Sequence, residues 1–355
     1  MRRNSKPLSS RPHRKRRGGW RWLLALVVLA VVVWFWWRHE HPTKVVRAPA
    51  KAVAPRLRPF VVAPESPADF PRPVRDVFEA QVALARRAIS SGSIDAALGS
   101  QTRRAISVYQ ETQHLPVTGT LNADTRARLM LNAPLVTTYV VTTNDLARLQ
   151  PLGKTWLAKS QQTALEYETE LELVAEKNHS HPELIRRLNL NVNWTNIAAG
   201  TVLRVPDVDY PAVSNQAAFA VIHLADKFLE AFDAETNLLA HFPCSIGASF
   251  ENRPIGELKV KAVAPNPNYT FDPVVFPESP EAQAIGHELI LPPGPNNPVG
   301  VAWIGLDKPR YGIHGTPSPE QVGRTESHGC FRLANWDAEY LSKLVWLGMP
   351  VFVEP

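Results

Sequence analysis

Two stretches near the C-terminal end carry the residue types of thiol chemistry. "RTESHGCFRL" (Arg324–Leu333) places Cys330 two residues after His328, and "YGIHGT" (Tyr311–Thr316) places His314 sixteen residues before that cysteine. The thiolate is the nucleophilic form of cysteine, so catalysis needs an imidazole to take the proton or to stabilise the charge. The base needs a third group to orient it, and a tetrahedral oxyanion needs backbone N–H donors beside the nucleophile. Gly315 and Gly329 adjoin the two histidines, where a bare backbone can approach a substrate closely. Arg332 lies two residues beyond Cys330; in an extended segment it points to the same side, placed for a substrate carboxylate. From these residues alone two other readings stay open. One is a core thiol with imidazole neighbours, and the other is a zinc site of His314, His328 and Cys330, for which a fourth ligand is missing. The other cysteine, Cys244 in "HFPCSIG", reads as a buried strand residue, and two cysteines do not build a disulfide framework.

The elements that must position these groups are mainly strands. From Ala217 onward, "AFAVIH", "KFLEAFD", "HFPCSIG", "ELKVKAVAP", "VGVAWIGL", "YGIHGT" and "PVFVEP" are short alternating or apolar runs divided by turn residues. One helix is expected near the end, with Asn335 as its N-cap, Leu341, Leu344 and Val345 inward, and Gly348 as its stop.

The whole stretch "IHGTPSPEQVGRTESHGCFRLANWDAEYL" resembles the signature of the L,D-transpeptidase catalytic domain (YkuD type): a histidine, a gap of a dozen or so residues, then Ser/Thr-His-Gly-Cys, a hydrophobic residue and often Arg. Upstream, "LPPGPNNPVGVAWIGL" is similar to that family's Gly-Pro-x-Asn-Pro-x-Gly segment, and Ser245–Gly247 and Pro254–Gly256 match its glycine turns, with Arg253 where the family usually has Thr. The resemblance covers residues 216–355. It implies a mainly β domain that uses neither cofactor nor metal, with a peptidoglycan stem tetrapeptide as substrate. Cys330 would attack the carbonyl of the third residue, release D-Ala, and pass the acyl group to an amine on a second stem, forming a 3→3 cross-link. The alternative acceptors are the lysine of an envelope protein, or water, which would make the enzyme a ligase or an L,D-carboxypeptidase. His314 is the implied base, oriented by the Gly315 carbonyl. Cys330 N–H and the Ser327–Gly329 backbone are the implied oxyanion donors, with His328 and Arg332 as supporting or substrate-positioning groups. A wall-binding scaffold with an inactive cysteine is the reading from another class.

Upstream of this region the chain reads as a series of parts. Residues 74–133 predict a small three-helix module, with Val74, Phe78, Val82, Ala105, Val108 and Tyr109 inward, a turn at Gly119 and a cap at Asn122. Ile94, Asp95, Gly99, Thr102, Tyr109, Gln110, Gly119 and Thr125 resemble the peptidoglycan-binding repeat domain, although its usual Asp-Gly is Asp95-Ala96 here. Residues 134–166 read as a connector, helical around 145–162. Residues 167–208 resemble a LysM glycan-binding module of strand, helix, helix and strand, with Glu168-Thr169-Glu170-Leu171 in place of its usual opening.

Trp22–Trp37 is an unbroken apolar run of sixteen residues flanked by tryptophans and preceded by Arg14, Lys15, Arg16 and Arg17. The expectation is a basic cytoplasmic tail (1–17), an uncleaved transmembrane signal anchor (18–37) and a Pro-rich spacer (38–73), with everything beyond residue 38 outside the cytoplasm. Nine of the Lys/Arg residues lie in the first twenty-one positions, without one acid. The net charge of +6 is therefore a local signal, and the bulk of the chain is not a nucleic-acid binder. The expected partners are peptidoglycan stems and glycan strands, the membrane through residues 18–37, and envelope proteins as one class of acyl acceptor. The fold class expected is multidomain: a mainly β catalytic domain, a three-helix domain, a small α+β module and an N-terminal transmembrane helix.

Overall fold

The computed structural model describes residues 29–37, 39, 58–247, 254–276, 278–325 and 329–355. The chain divides into two compact units, Met1–Arg56 and Leu57–Pro355. In the first, residues 29–37 are helical and exposed. Among the described residues no helix is long and apolar enough to cross a membrane. The basic tail, residues 18–28 of the expected membrane segment and residues 40–57 of the spacer lie outside the described residues.

The second unit begins before residue 74. Phe60 packs edge-on against Phe78 at 5.1 Å, and Val62 and Phe70 join the same apolar cluster. Strand β1 (Arg72–Pro73) pairs with β2 (Met130–Leu131). Residues 58–73 are thus built into the fold and are not spacer; their few apolar side chains are spread among prolines, so no periodicity announced them. Helices α1 (Val77–Ala85), α2 (Ser100–Thr112) and α3 (Ala123–Arg128) form the expected three-helix module around Phe78, Val82, Ala105 and Val108. Asn122 caps α3 by accepting from Thr125 N. Gln110 is buried and bonds Thr118, Gly119 and Thr125, which pins the turn. Gly119 sits at φ 62°, and a methyl there would meet Ser107 Oγ at 3.0 Å and Arg103 O at 3.2 Å. Gly119→Ala is therefore expected to cost about 1–2 kcal/mol. Thermal melts of the whole chain should show a drop of roughly 2–4 °C.

The connector is helical only in part: around 145–162 the helices are 143–147 and 156–160, and a strand precedes them. Its "VTTYV" run is β-branched and aromatic, and it forms β3 (Val136–Val140). Two short helices follow, α4 (Thr143–Ala147) and α5 (Trp156–Ser160), then α6 (Glu170–Lys177), α7 (Pro182–Leu188) and β4 (Val202–Pro206), which pairs antiparallel with β3. The β-α-α-β core thus takes its first strand from 136–140, with α4 and α5 inserted before α6. This core does not begin at residue 167; it buries Tyr167, Leu173, Val174, Ile185 and Leu203.

The remaining elements are β5 (Phe219–His223), β6 (Phe228–Phe232), β7 (Leu238–Pro243), β8 (Gly256–Pro265), β9 (Tyr269–Phe271), α8 (Pro280–Ile285), β10 (Leu289–Leu291), β11 (Ala302–Leu306), β12 (Gly312–His314), β13 (Phe331–Arg332), α9 (Asn335–Leu344) and β14 (Pro350–Glu354). Eight strands run in the order β13-β12-β11-β8-β14-β5-β6-β7. An antiparallel bridge between Ser245, just past β7, and Arg332 in β13 brings the two edges together. Leu341 and Leu344 of α9 pack into the same core as Ile222, Ile304, Ile313 and Phe331. Ala334, not Asn335, is the N-cap of α9; Asn335 is its first helical residue, and its side chain is engaged elsewhere. The three parts share backbone bonds. Ile94 N donates to His179 O and His181 N to Ile94 O, both at 2.9 Å, while Ser90 N donates to His241 O at 2.8 Å.

Candidate active site

β12 and β13 pair in parallel, with Ile313 opposite Phe331 and His314 opposite Arg332. Ile313 and Phe331 are fully buried in the core. Side chains alternate along a strand, so His314, Arg332 and, at the bend leading into β13, Cys330 belong to the opposite face. The hydrophobic pattern thereby fixes the register that gathers the three groups.

His314 is buried, and its Nδ1 lies 2.6 Å from Gly315 O, so Nδ1 carries the proton and donates it to that carbonyl. Nε2 is left with its lone pair. Burial pushes the imidazole down to about 4; the Gly315 bond opposes that shift and the Arg332 charge reinforces it. Trp303, the β11 partner of His314, stacks on it at 5.7 Å and 22°. The indole lies across Gly305 and Gly312, where a methyl on Gly312 would meet its ring carbons at 2.6 Å. These two strand glycines exist to admit the ring.

Cys330 is half-buried, and both cysteines are free thiols. Its S–H donates to Arg310 O at 3.4 Å. Burial raises the thiol, while the Gly312 N–H and the Arg332 charge pull it down. Both directions favour the uncharged forms of the imidazole and the thiol. Cys244, by contrast, is wholly buried, donates to Ser245 O at 3.5 Å and is pushed up by burial.

Gly329 has φ 148°, and a methyl on Gly247 would come 2.7 Å from its Cα, so the backbone leading to Cys330 rests directly on another backbone. Arg332 is fixed through its main chain to Ser245 in both directions, N→O 3.0 Å and O←N 2.8 Å. Among the described residues its guanidinium takes no hydrogen bond or ion pair. Ser327 and His328 lie outside the described residues.

Three contributors were not evident from spacing. Tyr269 in β9 is a half-buried neighbour of the thiol; burial and then the Cys330 charge push its hydroxyl up to about 12. It leans on Trp156 of α5 at 6.4 Å. Tyr311 is raised in the same way, by burial and then by Cys330. Asn335 is wholly buried between Gly300 and Gly315, where a methyl on either glycine would collide with its Oδ1. That oxygen accepts from Thr316 N at 2.9 Å and Val301 N at 3.3 Å. The paired glycines at 300 and 315 were the available sequence signal for such a close approach.

A sheet that brings together a half-buried thiol, a buried imidazole held by a backbone carbonyl and a guanidinium with no partner among the described residues carries the residue types of a thiol-dependent enzyme. Residues 217–353 match the L,D-transpeptidase catalytic domain of YkuD type. Residues 74–129 match a "Putative peptidoglycan binding domain". The chain is similar to "Putative L,D-transpeptidase YkuD" of Bacillus licheniformis, 24% identical over 52% of this chain and 93% of that relative. It is also similar to "Probable L,D-transpeptidase YbiS" of Escherichia coli, 32% identical over 43% of this chain and 49%, about half, of that relative. A third relative, "Putative L,D-transpeptidase in ATP synthase subunits region ORF 5" of Fuscovulum blasticum, is 32% identical over 37% of this chain and 67% of its own length. The chain belongs to the L,D-transpeptidase family of enzymes.

Proposed function

We propose that the protein forms a Cys330 thioester with a peptidoglycan tetrapeptide stem and hands the acyl group to an amine on a second stem, making 3→3 cross-links. The observation that carries this reading is the His314 tautomer. With Nδ1–H committed to Gly315 O, Nε2 is the only ring nitrogen able to take a proton. Cys330 Sγ adds to the carbonyl of the third residue as its proton passes to His314 Nε2. The tetrahedral intermediate collapses, the C–N bond to D-Ala breaks, and His314 returns the proton to the leaving amine. An incoming amine then adds to the thioester, loses its proton to His314 and expels the thiolate, which regains that proton. Arg332, half-buried and with no side-chain partner among the described residues, supports the binding of a stem carboxylate.

The family matches on two segments of one chain support peptidoglycan as partner. The apolar run at 22–37 behind a basic cluster supports a single-pass anchor through residues 18–37, with the enzyme on the outer side of the cytoplasmic membrane. The β-α-α-β order of the 136–206 module supports a LysM-like, glycan-binding reading. Muropeptide analysis of a strain carrying Cys330→Ala as its sole copy tests the reaction. The expected result is loss of 3→3 dimers. Unchanged dimers with a shifted tetrapeptide-to-tripeptide ratio would instead make the enzyme an L,D-carboxypeptidase, and loss of wall-bound protein alone would make it a ligase.

A further inference from the structure

The buried carboxyl of Glu176 is not on the catalytic domain. It stands on α6 of the β-α-α-β module, 9% exposed, and its Oε1 accepts from Asn335 Nδ2 at 2.9 Å across 159 residues of sequence. Nδ2 also donates to Pro295 O at 3.1 Å. The other end of the same carboxamide, Oδ1, accepts from Thr316 N. Thr316 N–H and Gly315 C=O belong to one peptide group, and that carbonyl is the acceptor for His314 Nδ1. A continuous relay therefore runs from imidazole through peptide and carboxamide to carboxyl, and every link donates in the same direction. Such chains polarise one another and fix orientation more firmly than their separate bonds.

We propose that Glu176 is a positioning residue for the catalytic base, reaching His314 through Asn335 and the 315–316 peptide, so that the β-α-α-β module completes the active site of the neighbouring domain. This rests on the reading of Cys330 and His314 as the acylating pair. Asn335 has to present its oxygen to two N–H groups and its nitrogen to the far side. Glu176 and Pro295 are the acceptors that prevent the amide from turning over. The peptide plane at 315–316 cannot rotate without breaking the Thr316 bond, and the imidazole follows that plane.

A carboxyl is an expensive choice for a mere interface filler. Its neighbours are Tyr167, whose hydroxyl lies 3.4 Å away, Glu172 one turn earlier on α6, and Arg148, whose guanidinium lies over the Tyr167 ring. Burial pushes Glu176 up to about 8, Glu172 adds to that rise, and the Asn335 bond opposes it. A leucine of similar size would avoid that desolvation but would leave one Asn335 Nδ2 hydrogen and the Tyr167 hydroxyl without this acceptor.

The test compares the full chain with its Glu176→Leu and Glu176→Gln variants, and reads the rate at which Cys330 is acylated by a carbapenem, by intact mass, beside the melting temperature. Glu176→Leu should acylate roughly tenfold more slowly, well beyond what its change in melting temperature accounts for, because the base is misaligned. Glu176→Gln retains an acceptor oxygen and should acylate at nearly the wild-type rate. If Glu176→Leu acylates as fast as wild type, or if both variants slow only in proportion to lost stability, the positioning role is overturned. Cys330→Ala runs alongside: loss of its adduct with wild-type rates in the Glu176 variants removes the positioning role alone. An adduct that persists on Cys330→Ala removes the nucleophile reading and the relay with it.

Discussion

Cys330→Ala is expected to take no covalent adduct when the purified protein is incubated with a carbapenem, while the wild-type chain gains the mass of one inhibitor molecule. The expectation rests on the contrast between the two cysteines. Cys330 is half-buried, on the same sheet face as His314 and Arg332; burial raises its thiol, and the Gly312 N–H and the Arg332 charge oppose that rise. Cys244 has no exposed surface, and burial holds it protonated. An acylating reagent that must reach a cysteine therefore has one address. The substitution removes few buried atoms, so the melting temperature should stay close to that of wild type, and loss of the adduct would not reflect unfolding. An adduct on Cys330→Ala, or one mapped to Cys244 in the wild type, would overturn the assignment.

The same contrast shows why some of this site was legible in the sequence. The alternation of "GIH" and "CFR" sets which side chains share a face, and each histidine is adjacent to its glycine, so the orienting carbonyl at Gly315 is a neighbour in the chain. Information of that range survives in a linear reading. The tertiary partners do not. Trp303 stands opposite His314 only through the register of β11 with β12, and Tyr269 comes within the field of the Cys330 thiol only through the placing of β9. Asn335 looks like a helix cap because caps are local and common. Its actual engagement with Thr316, Val301 and Glu176 depends on three separate chain segments meeting at one point. The misplaced start of the β-α-α-β core has a similar cause. "VTTYV" pairs with a strand more than sixty residues away, and a short run without its partner carries little signal.

His314→Ala is expected to lower the acylation rate of Cys330 by about 10²–10⁴-fold, the range by which a positioned base contributes. His328→Ala should leave most of that rate, because the proton-accepting nitrogen belongs to His314. The pH dependence sharpens the distinction. An exposed histidine would lose half its basic form near pH 6.5. Burial holds His314 at about 4, so the base remains neutral down to that region, and acylation should fall on the acid side only as pH approaches it. The stability sign is fixed by the same shift. The folded pKa lies below the unfolded value, so folding favours the neutral ring. That contribution is present above the unfolded pKa and is lost as pH falls from about 6.5 through about 4. His314→Ala removes this term, and its melting temperature should therefore depend less on pH across that window than the wild type's does. Rate measurements on both histidine variants, paired with melts between pH 4 and 8, check the two statements together. Full acylation by His314→Ala, with loss in His328→Ala, would transfer the base to the nearer histidine.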